Sequence, residues 1–231
     1  TGRRSASLRV AMCRALGARV PPRASRASRR VDRGPAPRRA VERVDVALKE
    51  WAFVVDALRR GEQIALARKG GLRDARGFEL RADAFWLFPT AFHADLSAYA
   101  RAAGTASAPK ALDTLAAATG TFEVRAEDAP KALRVLSARS GWPEDLFARR
   151  ANWKPDAPLV ILEVRCYEAR EGLTIDPDDE RYGGCKSWVD TDAWVVDDAS
   201  ALRACVSDEE FEAMSRSLRE DLFAIGATQT S

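Results

Sequence analysis

The sequence is poor in the residues from which metal centres and several classes of catalytic site are built. His93 is the only histidine among 231 residues, and none of the four cysteines belongs to a CxxC pair. This excludes sites with two or three histidine ligands and argues against zinc ribbons and a disulfide framework. Neither GxxxxGKS/T nor GxGxxG occurs, so a P-loop and a dinucleotide-binding fingerprint are also excluded. We predict no metal site, and the sequence identifies no cofactor.

Long apolar runs are absent too. No stretch approaches the roughly 18 uninterrupted apolar residues that a membrane-spanning helix requires. We therefore expect no membrane span.

Acidic residues are almost missing from residues 1–40. This segment holds twelve arginines, no lysine, no glutamate and a single aspartate, Asp32. A secretory signal needs an apolar core of roughly 7–15 residues, whereas an arginine- and serine-rich segment without acid is typical of an organelle-targeting peptide. We predict that 1–40 is a disordered, cleavable transit peptide. A retained basic arm that binds polyanions and an artefact of gene prediction are the alternatives.

The rest of the chain carries the opposite charge. Residues 41–231 hold 25 basic and 33 acidic side chains, a net charge of −8, and all six tryptophans lie beyond residue 50. About 190 residues suffice for one domain with a substantial core, which we place at 44–228. Non-specific binding of duplex nucleic acid depends on many cations and is disfavoured, although a local basic pocket remains compatible with this charge.

A β-hairpin is predicted near the start of this domain. The run Trp51–Leu58 is apolar and partly β-branched, a polar turn containing Gly61 follows, and Gln63–Lys69 continues as a second apolar run. The aromatic run Phe85–Phe88 indicates another strand. Pro89 should end it, because proline has no N–H for a sheet hydrogen bond.

The middle of the domain is predicted to be mainly helical. Alanine-rich composition favours helices over 97–103 and 110–118, and helical spacing favours another over 143–153. A further helix over 130–138 begins with a proline, which the first turn tolerates. The segment 122–125 indicates a short strand within this region.

The C-terminal part returns to a strand and ends in a helix. Pro158–Tyr167 is the strongest β-type run and predicts a central strand in which Leu159, Ile161 and Val164 are almost fully buried. Ser207 and Glu210 form a capping-box pattern. The apolar stripe that follows consists of Phe211, Met214, Leu218 and Leu222. The predicted class is α+β, with a mixed or antiparallel sheet built from the N-terminal hairpin and the central strand.

Two cations and two glycines follow one another where the predicted hairpin ends. These residues are Arg68, Lys69, Gly70 and Gly71. Glycines let backbone N–H groups approach an anion closely, so this strand end is suited to a phosphate or carboxylate. We predict that Arg165 and Lys186 also contribute to ligand binding. The alternative is an ordinary strand end with solvated charges.

His93 and Cys185 are the candidates for catalysis. A histidine serves as a general acid or base near neutral pH. Cys185 follows two glycines and precedes Lys186, an environment that favours the thiolate, so the two residues are a candidate Cys–His pair. The alternatives are a structural histidine and a small buried cysteine in a tight turn. Neither local cysteine-protease signature is present.

Two acidic patterns give weaker signals. One is the loop that contains Asp176, Asp178, Asp179 and Glu180. It lacks the alternating ligands and central glycine of an EF-hand, and we predict a solvated loop. The other is Glu123-Val124-Arg125, which weakly resembles the ExK element of metal-dependent nucleases, although arginine replaces the lysine.

Four strings in order carry a resemblance to a known family. They are Ala47-Leu48-Lys49-Glu50-Trp51, Arg68-Lys69-Gly70-Gly71, Phe88-Pro89-Thr90 with His93, and Tyr182-Gly183-Gly184-Cys185-Lys186-Ser187-Trp188. Together they resemble the family named domain of unknown function 1802, over about 44–222. The resemblance implies no reaction, cofactor or partner. A domain of cyanobacterial type behind a transit peptide favours the chloroplast stroma over the mitochondrion.

Three hypotheses of function follow. The first is a binding or regulatory domain that takes an anionic small molecule or a nucleic-acid end at Arg68, Lys69 and Arg165. The second is an enzyme, either a hydrolase that uses His93 and Cys185 or a divergent metal-dependent nuclease. The third is an assembly protein without a ligand. Convergence of Arg68, His93 and Cys185 on one pocket would favour the enzyme.

Overall fold

The computed structural model describes residues 42–70, 77–90, 109–140, 150–196 and 201–231. The predicted transit peptide lies outside the described residues, as do Gly71, His93, the predicted helix at 97–103 and most of the one at 143–153. No helix among the described residues is both long enough and apolar enough to cross a membrane.

The described residues form a sheet of eight strands and three α-helices, with further helical residues at 150–152. The strands are β1 (Glu42–Trp51), β2 (Ala65–Arg68), β3 (Ala84–Thr90), β4 (Ala111–Val124), β5 (Leu159–Thr174), β6 (Trp188–Val196), β7 (Leu202–Ala204) and β8 (Thr228–Gln229). The α-helices are α1 (Ala52–Arg59), α2 (Ala129–Ser140) and α3 (Asp208–Ala224). Short 3-10 turns occupy Ala126–Asp128 and Glu180–Tyr182. The predicted α+β class is confirmed.

The sheet is mixed, and β5 is an inner strand, second from one edge. The strand order is β2-β5-β4-β3-β1-β6, with β7 also paired to β5 and β8 to β4. The pair β1–β3 is parallel and the other pairs are antiparallel. Leu159, Ile161 and Val164 are at most 1% exposed, which confirms the predicted strand and its burial, although β4 and β3 lie closer to the centre of the sheet.

The predicted N-terminal hairpin is wrong, because its first arm is the helix α1. Val54, Val55 and Leu58 are buried while Arg59 is exposed, which is one apolar face at helical rather than strand spacing. The turn is a helix end. Gly61 has φ +73°, a conformation that glycine adopts without strain. The second arm, β2, pairs instead with β5.

The helix predicted over 110–118 is also wrong, because this segment belongs to β4. Leu112, Leu115, Ala116 and Ala118 are all fully buried, and β5 runs along almost the whole of β4. Packing between strands has overridden the helical preference of alanine, which is small compared with the burial of a central strand. The strand predicted over 122–125 is the end of β4.

Pro89 does not end β3, which continues to Thr90. Strand β4 pairs only with Ala84–Trp86, whereas β1 pairs with β3 from Trp86 to Thr90. Pro89 therefore has a paired strand on one side only, within the described residues. A proline is tolerated in such a position because its missing N–H takes no bond from the sheet.

The predicted C-terminal helix is confirmed. The Ser207 hydroxyl accepts a hydrogen bond from the Glu210 N–H at 3.2 Å, and the Glu210 carboxylate accepts one from the Ser207 N–H at 3.2 Å. Phe211, Leu218 and Leu222 pack against the sheet, with Met214 partly buried beside them. The helix predicted over 130–138 is likewise confirmed as α2.

Candidate functional site

Glu50 lies at the end of β1, where the chain passes directly into α1. Its side chain is buried, with 2% of the residue exposed. One carboxylate oxygen accepts hydrogen bonds from the Trp51 N–H at 2.9 Å and from Arg150 Nη2 at 3.2 Å. The other accepts from Arg68 Nη1 at 3.0 Å. Glu50 is therefore held by two arginines that approach from different parts of the chain.

The two arginines keep Glu50 ionised. Burial by itself raises the pKa of Glu50, but the charges of Arg150 and Arg68 and the N–H of Trp51 outweigh it, so the pKa lies below the usual 4.5. The side chains of Arg68 and Arg150 are only 12% and 16% exposed. Among the described residues, one negative and two positive charges thus share a poorly solvated site.

Arg150 is fixed on three sides. Its guanidinium lies 4.1 Å from the ring centroid of Trp51, and Nη1 donates to the carbonyl of Ala67 while Nη2 donates to Glu50. Trp51 in turn stacks on Phe53, with 5.6 Å between ring centroids. A guanidinium has five N–H donors, so three have no hydrogen-bond acceptor among the described residues. An arginine held in this way presents a rigid fork of donors.

A cavity of about 280 Å³ adjoins this cluster. It lies among β2, the C-terminal end of α2, and α3. Its polar lining includes Glu50, Trp51, Gln63, Arg139 and Arg150, and its apolar lining includes Val54, Ile64, Leu66, Leu136, Met214 and Leu218. Val54 and Leu66 belong to the apolar core on one face of the sheet, and Ile64 and Leu218 belong to the core on the other face. Because the cavity reaches both cores, it lies at the open edge of the sheet, beside β2.

The predicted strand end at Arg68-Lys69-Gly70 binds other parts of the chain. Arg68 donates to Glu50 and also to the Lys49 carbonyl at 3.1 Å. Lys69 is buried and donates to the Ala151 carbonyl at 2.9 Å, and burial lowers its pKa. The Gly70 carbonyl accepts from Trp153 Nε1 at 2.9 Å. These residues hold the segment that carries Arg150 against β2.

Arg165 and Lys186 lie apart from that strand end. Arg165 binds Asp208 at the start of α3 and packs over the ring of Phe211. It is five residues along β5 from Val160, the partner of Arg68, a separation of about 17 Å. The predicted ligand-binding residues are therefore not brought into one site, and a binding role for each stays a prediction.

Cys185 is exposed, in a loop on the opposite side of β1 from Glu50. The neighbouring Lys49 points towards this loop and donates to the Gly184 carbonyl at 3.1 Å. Burial and the charge of Lys186 lower the pKa of Lys49, an effect that Cys185 partly offsets. Because His93 lies outside the described residues, the Cys–His pair and the predicted convergence with Arg68 stay predictions.

The acidic patterns have local structural roles. The Asp179 carboxylate accepts a hydrogen bond from the Arg181 N–H at 2.8 Å and caps a 3-10 turn. Arg125 pairs with Glu127 and Asp128. Within the part of the chain that the structure describes, no group of three or more His, Cys, Asp or Glu side chains is arranged to hold a metal ion.

Sequence reasoning missed Arg150 as a candidate site residue. Arg150 and Glu50 are 100 residues apart, and no local pattern joins them. The sequence did contain one signal, which is Glu50, an ionisable residue between an apolar strand and Trp51. A charge buried at such a position requires a partner.

Two solved structures show a distant likeness to this chain. A mutant of the ASCH protein from Zymomonas mobilis has a TM-score of 0.36 and 13% identity, covering 74% of this chain and 94% of that protein. The ASCH protein itself has a TM-score of 0.35 and 11% identity, covering 74% and 93%. These values carry no argument about function. A search of curated protein sequences gives no match.

The match to a family model agrees with the resemblance that the four sequence strings carry. The model of the family described as a domain of unknown function, DUF1802, matches residues 47–217. This range contains Glu50, Arg68 and Arg150 and covers most of the chain, so the protein belongs to the DUF1802 family.

Proposed function

We propose that the domain binds a small anionic molecule in the cavity at the edge of β2, with Arg150 as the residue that receives the anion. The observation that carries this proposal is the fixed guanidinium of Arg150, which borders the cavity and has three N–H donors without an acceptor among the described residues. The Arg150 side chain is only 16% exposed, and its remaining donors favour an anionic partner, because charge-assisted hydrogen bonds are stronger than neutral ones.

Glu50 and Arg68 act as positioning residues in this proposal. Arg68 is attached to Glu50 and to the carbonyl of Lys49, and Glu50 in turn fixes one nitrogen of Arg150. Trp51 holds the face of the guanidinium. Arg150 is therefore preorganised, which reduces the ordering cost that a ligand otherwise has to offset.

The size of the cavity favours a small molecule over a nucleic-acid end. Its volume of about 280 Å³ is close to the lower limit of small-molecule sites, which span about 300–1,000 Å³. The net charge of −8 over residues 41–231 also opposes the approach of a polyanion. A single carboxylate or phosphate avoids most of that repulsion.

A thermal-shift screen tests this proposal. The full chain is heated with inorganic phosphate, nucleoside monophosphates and small carboxylates, and isothermal titration calorimetry measures Kd for any that stabilise it. At about ten times Kd, a bound anion should raise Tm by about 3–6 °C. Arg150→Ala should abolish this shift. Arg150→Lys should weaken it, because lysine keeps the charge but loses the fork.

Arg81→Ala is the matched control. Arg81 is exposed, precedes β3 and forms an ion pair with Asp190 of β6 at 2.8 Å, away from the cavity lining, so its loss should leave the anion response unchanged. An anion that stabilises Arg150→Ala as strongly as the wild type would refute the proposed site. Failure of every anion to shift Tm would refute the proposed function.

A further inference from the structure

We infer that the ligand of this cavity is an organic acid with an apolar body and a second oxygen acceptor, lying along the open edge of β2. This inference rests on the proposed function and adds the chemical class of the ligand.

The edge of β2 offers hydrogen-bond donors. The Ile64 carbonyl accepts from the Val164 N–H at 2.8 Å, so Ile64 and Leu66 turn their backbone groups towards β5. Residues alternate along a strand, and Ala65 and Ala67 therefore turn their backbone groups outward, to the edge where the cavity lies. No described residue accepts a hydrogen bond from either outward N–H.

The carbonyls of the same edge are already occupied. Gln63 Nε2 donates to the Ala65 carbonyl at 3.0 Å, and Arg150 Nη1 donates to the Ala67 carbonyl. An added peptide strand needs both donors and acceptors from the edge it joins. The backbone of this edge has only donors left. The nearby Gln63 Oε1 has no hydrogen-bond donor among the residues that the structure describes, but one side-chain acceptor does not replace the carbonyls that a peptide needs, so the edge suits a ligand rich in oxygen acceptors.

The two ends of the cavity differ in polarity. Ile64 and Ala67 both belong to the apolar cluster of Leu136 and Leu218, with Met214 packed against it. Ala67, three residues and about 10 Å further along the strand, also accepts a hydrogen bond from Arg150. A charged group placed on Arg150 and the Ala67 N–H therefore leaves the rest of the ligand against apolar side chains.

The Ala65 N–H lies between these two ends. It is two residues from Ala67, or about 7 Å along the strand, and is suited to a carbonyl oxygen placed part of the way along the ligand. The ligand class is thus a monoanion with a carboxylate head, an oxygen a few atoms further on, and an aliphatic or aromatic tail.

Four probes separate these features, all titrated into the full chain by calorimetry. Phenylbutyrate has the acid and the tail, benzoylpropionate adds a ketone oxygen, methyl phenylbutyrate lacks the charge, and inorganic phosphate lacks the tail. We expect benzoylpropionate to bind about three- to tenfold tighter than phenylbutyrate, as one added hydrogen bond predicts. The ester and phosphate should each bind at least about tenfold more weakly than phenylbutyrate.

Two variants assign these differences to the chain. Ala65→Pro removes one outward N–H at the first residue of an edge strand, where proline is tolerated, and should erase the advantage of benzoylpropionate alone. Met214→Trp fills the apolar end and should weaken both organic acids at least about tenfold while leaving phosphate unchanged. In the wild type, benzoylpropionate should also shift the amide NMR signal of Ala65, which tests the donor without any substitution.

The outcomes distinguish this inference from the proposed function. Binding of phosphate that depends on Arg150, with phenylbutyrate no tighter than phosphate, would retain the anion site and overturn the organic-acid class. If an uncharged, acetylated pentapeptide amide bound more tightly than any acid, the organic-acid class would be overturned in favour of a peptide that adds a strand to the β2 edge. Absence of any response that depends on Arg150 would overturn the proposed function itself.

Discussion

Glu50 and Glu163 are both buried glutamates that bind arginine, but their surroundings differ. Glu163 is completely buried and receives Arg219 through both of its carboxylate oxygens, at 2.6 and 2.9 Å. The hydroxyls of Thr119 and Ser215 donate to the same carboxylate at 2.7 and 2.9 Å. Glu163 therefore has one counter-charge and a full set of donors, whereas Glu50 has two counter-charges.

The difference separates a structural site from a candidate binding site. Arg219 and Ser215 belong to α3, so the Glu163 cluster attaches this helix to β5 with its charges balanced. The Glu50 cluster also joins distant segments, but Glu50, Trp51 and Arg150 line a cavity. Contact with the cavity, rather than burial, is what distinguishes the two clusters.

The largest expected effect comes from removing one arginine from each cluster. Arg219→Ala leaves Glu163 buried without a counter-charge and should lower the free energy of unfolding by about 3–5 kcal/mol. Arg150→Ala leaves Glu50 paired with Arg68 and should cost about 1–2 kcal/mol. Urea denaturation measures both, with Arg81→Ala as an exposed control that should cost less than about 1 kcal/mol. If Arg150→Ala and Arg219→Ala lowered the free energy of unfolding equally, the proposed distinction between the two clusters would be lost.

Acid should destabilise the protein through both clusters. Burial raises the pKa of Glu163, but Arg219, Thr119 and Ser215 outweigh it, so that this pKa, like that of Glu50, lies below the usual 4.5. A lowered pKa in the folded state stabilises the protein above about pH 4.5, and this contribution is lost as the pH falls through the folded-state pKa.

Each of these carboxylates should add up to about 1.4 kcal/mol per pH unit to the acid-side slope of the unfolding free energy. Urea denaturation at a series of pH values between about 5 and 3 measures this slope. Glu163→Gln should reduce it, because one titrating group is removed. An unchanged slope in that variant would mean that the pKa of Glu163 is not lowered by folding.

The response to a ligand should depend on Arg150 and not on Arg219, whereas stability should depend more on Arg219. An anion at about ten times its Kd should add about 1.4 kcal/mol to the unfolding free energy. This gain should persist in Arg219→Ala, despite its lower stability, and vanish in Arg150→Ala. Calorimetric unfolding with and without the anion provides the measurement. Loss of the gain in Arg219→Ala would indicate that both clusters act on the ligand.

The smallest expected effect lies outside both clusters. We propose that residues 1–40 direct the chain to the chloroplast stroma and are then removed. Their deletion should change the free energy of unfolding by less than about 0.5 kcal/mol and should leave the anion response intact. Mass spectrometry of the protein isolated from chloroplasts should find an N-terminus near residue 41. A mature chain that begins near Thr1 would contradict the targeting hypothesis.

Elements with local signals were predicted correctly. Ser207 and Glu210 cap α3 through hydrogen bonds that span three residues, and the apolar run from Leu159 predicts β5. Both depend on neighbours in the sequence. The segments 52–58 and 110–118 were assigned to the wrong class because their apolar and alanine-rich compositions suit either a strand or a helix, and contacts with other strands decide between them.

The sequence by itself determined the division of charge between residues 1–40 and the rest, the α+β class, the buried strand β5, the C-terminal helix and the family. Only the tertiary structure decided that Arg68 faces Glu50, that Arg150 joins them from 100 residues away, and that the edge of β2 has free donors but occupied carbonyls. The physical reason is that a buried charge requires a counter-charge without specifying where in the sequence it lies, and the packing of the sheet selects which distant arginine supplies it.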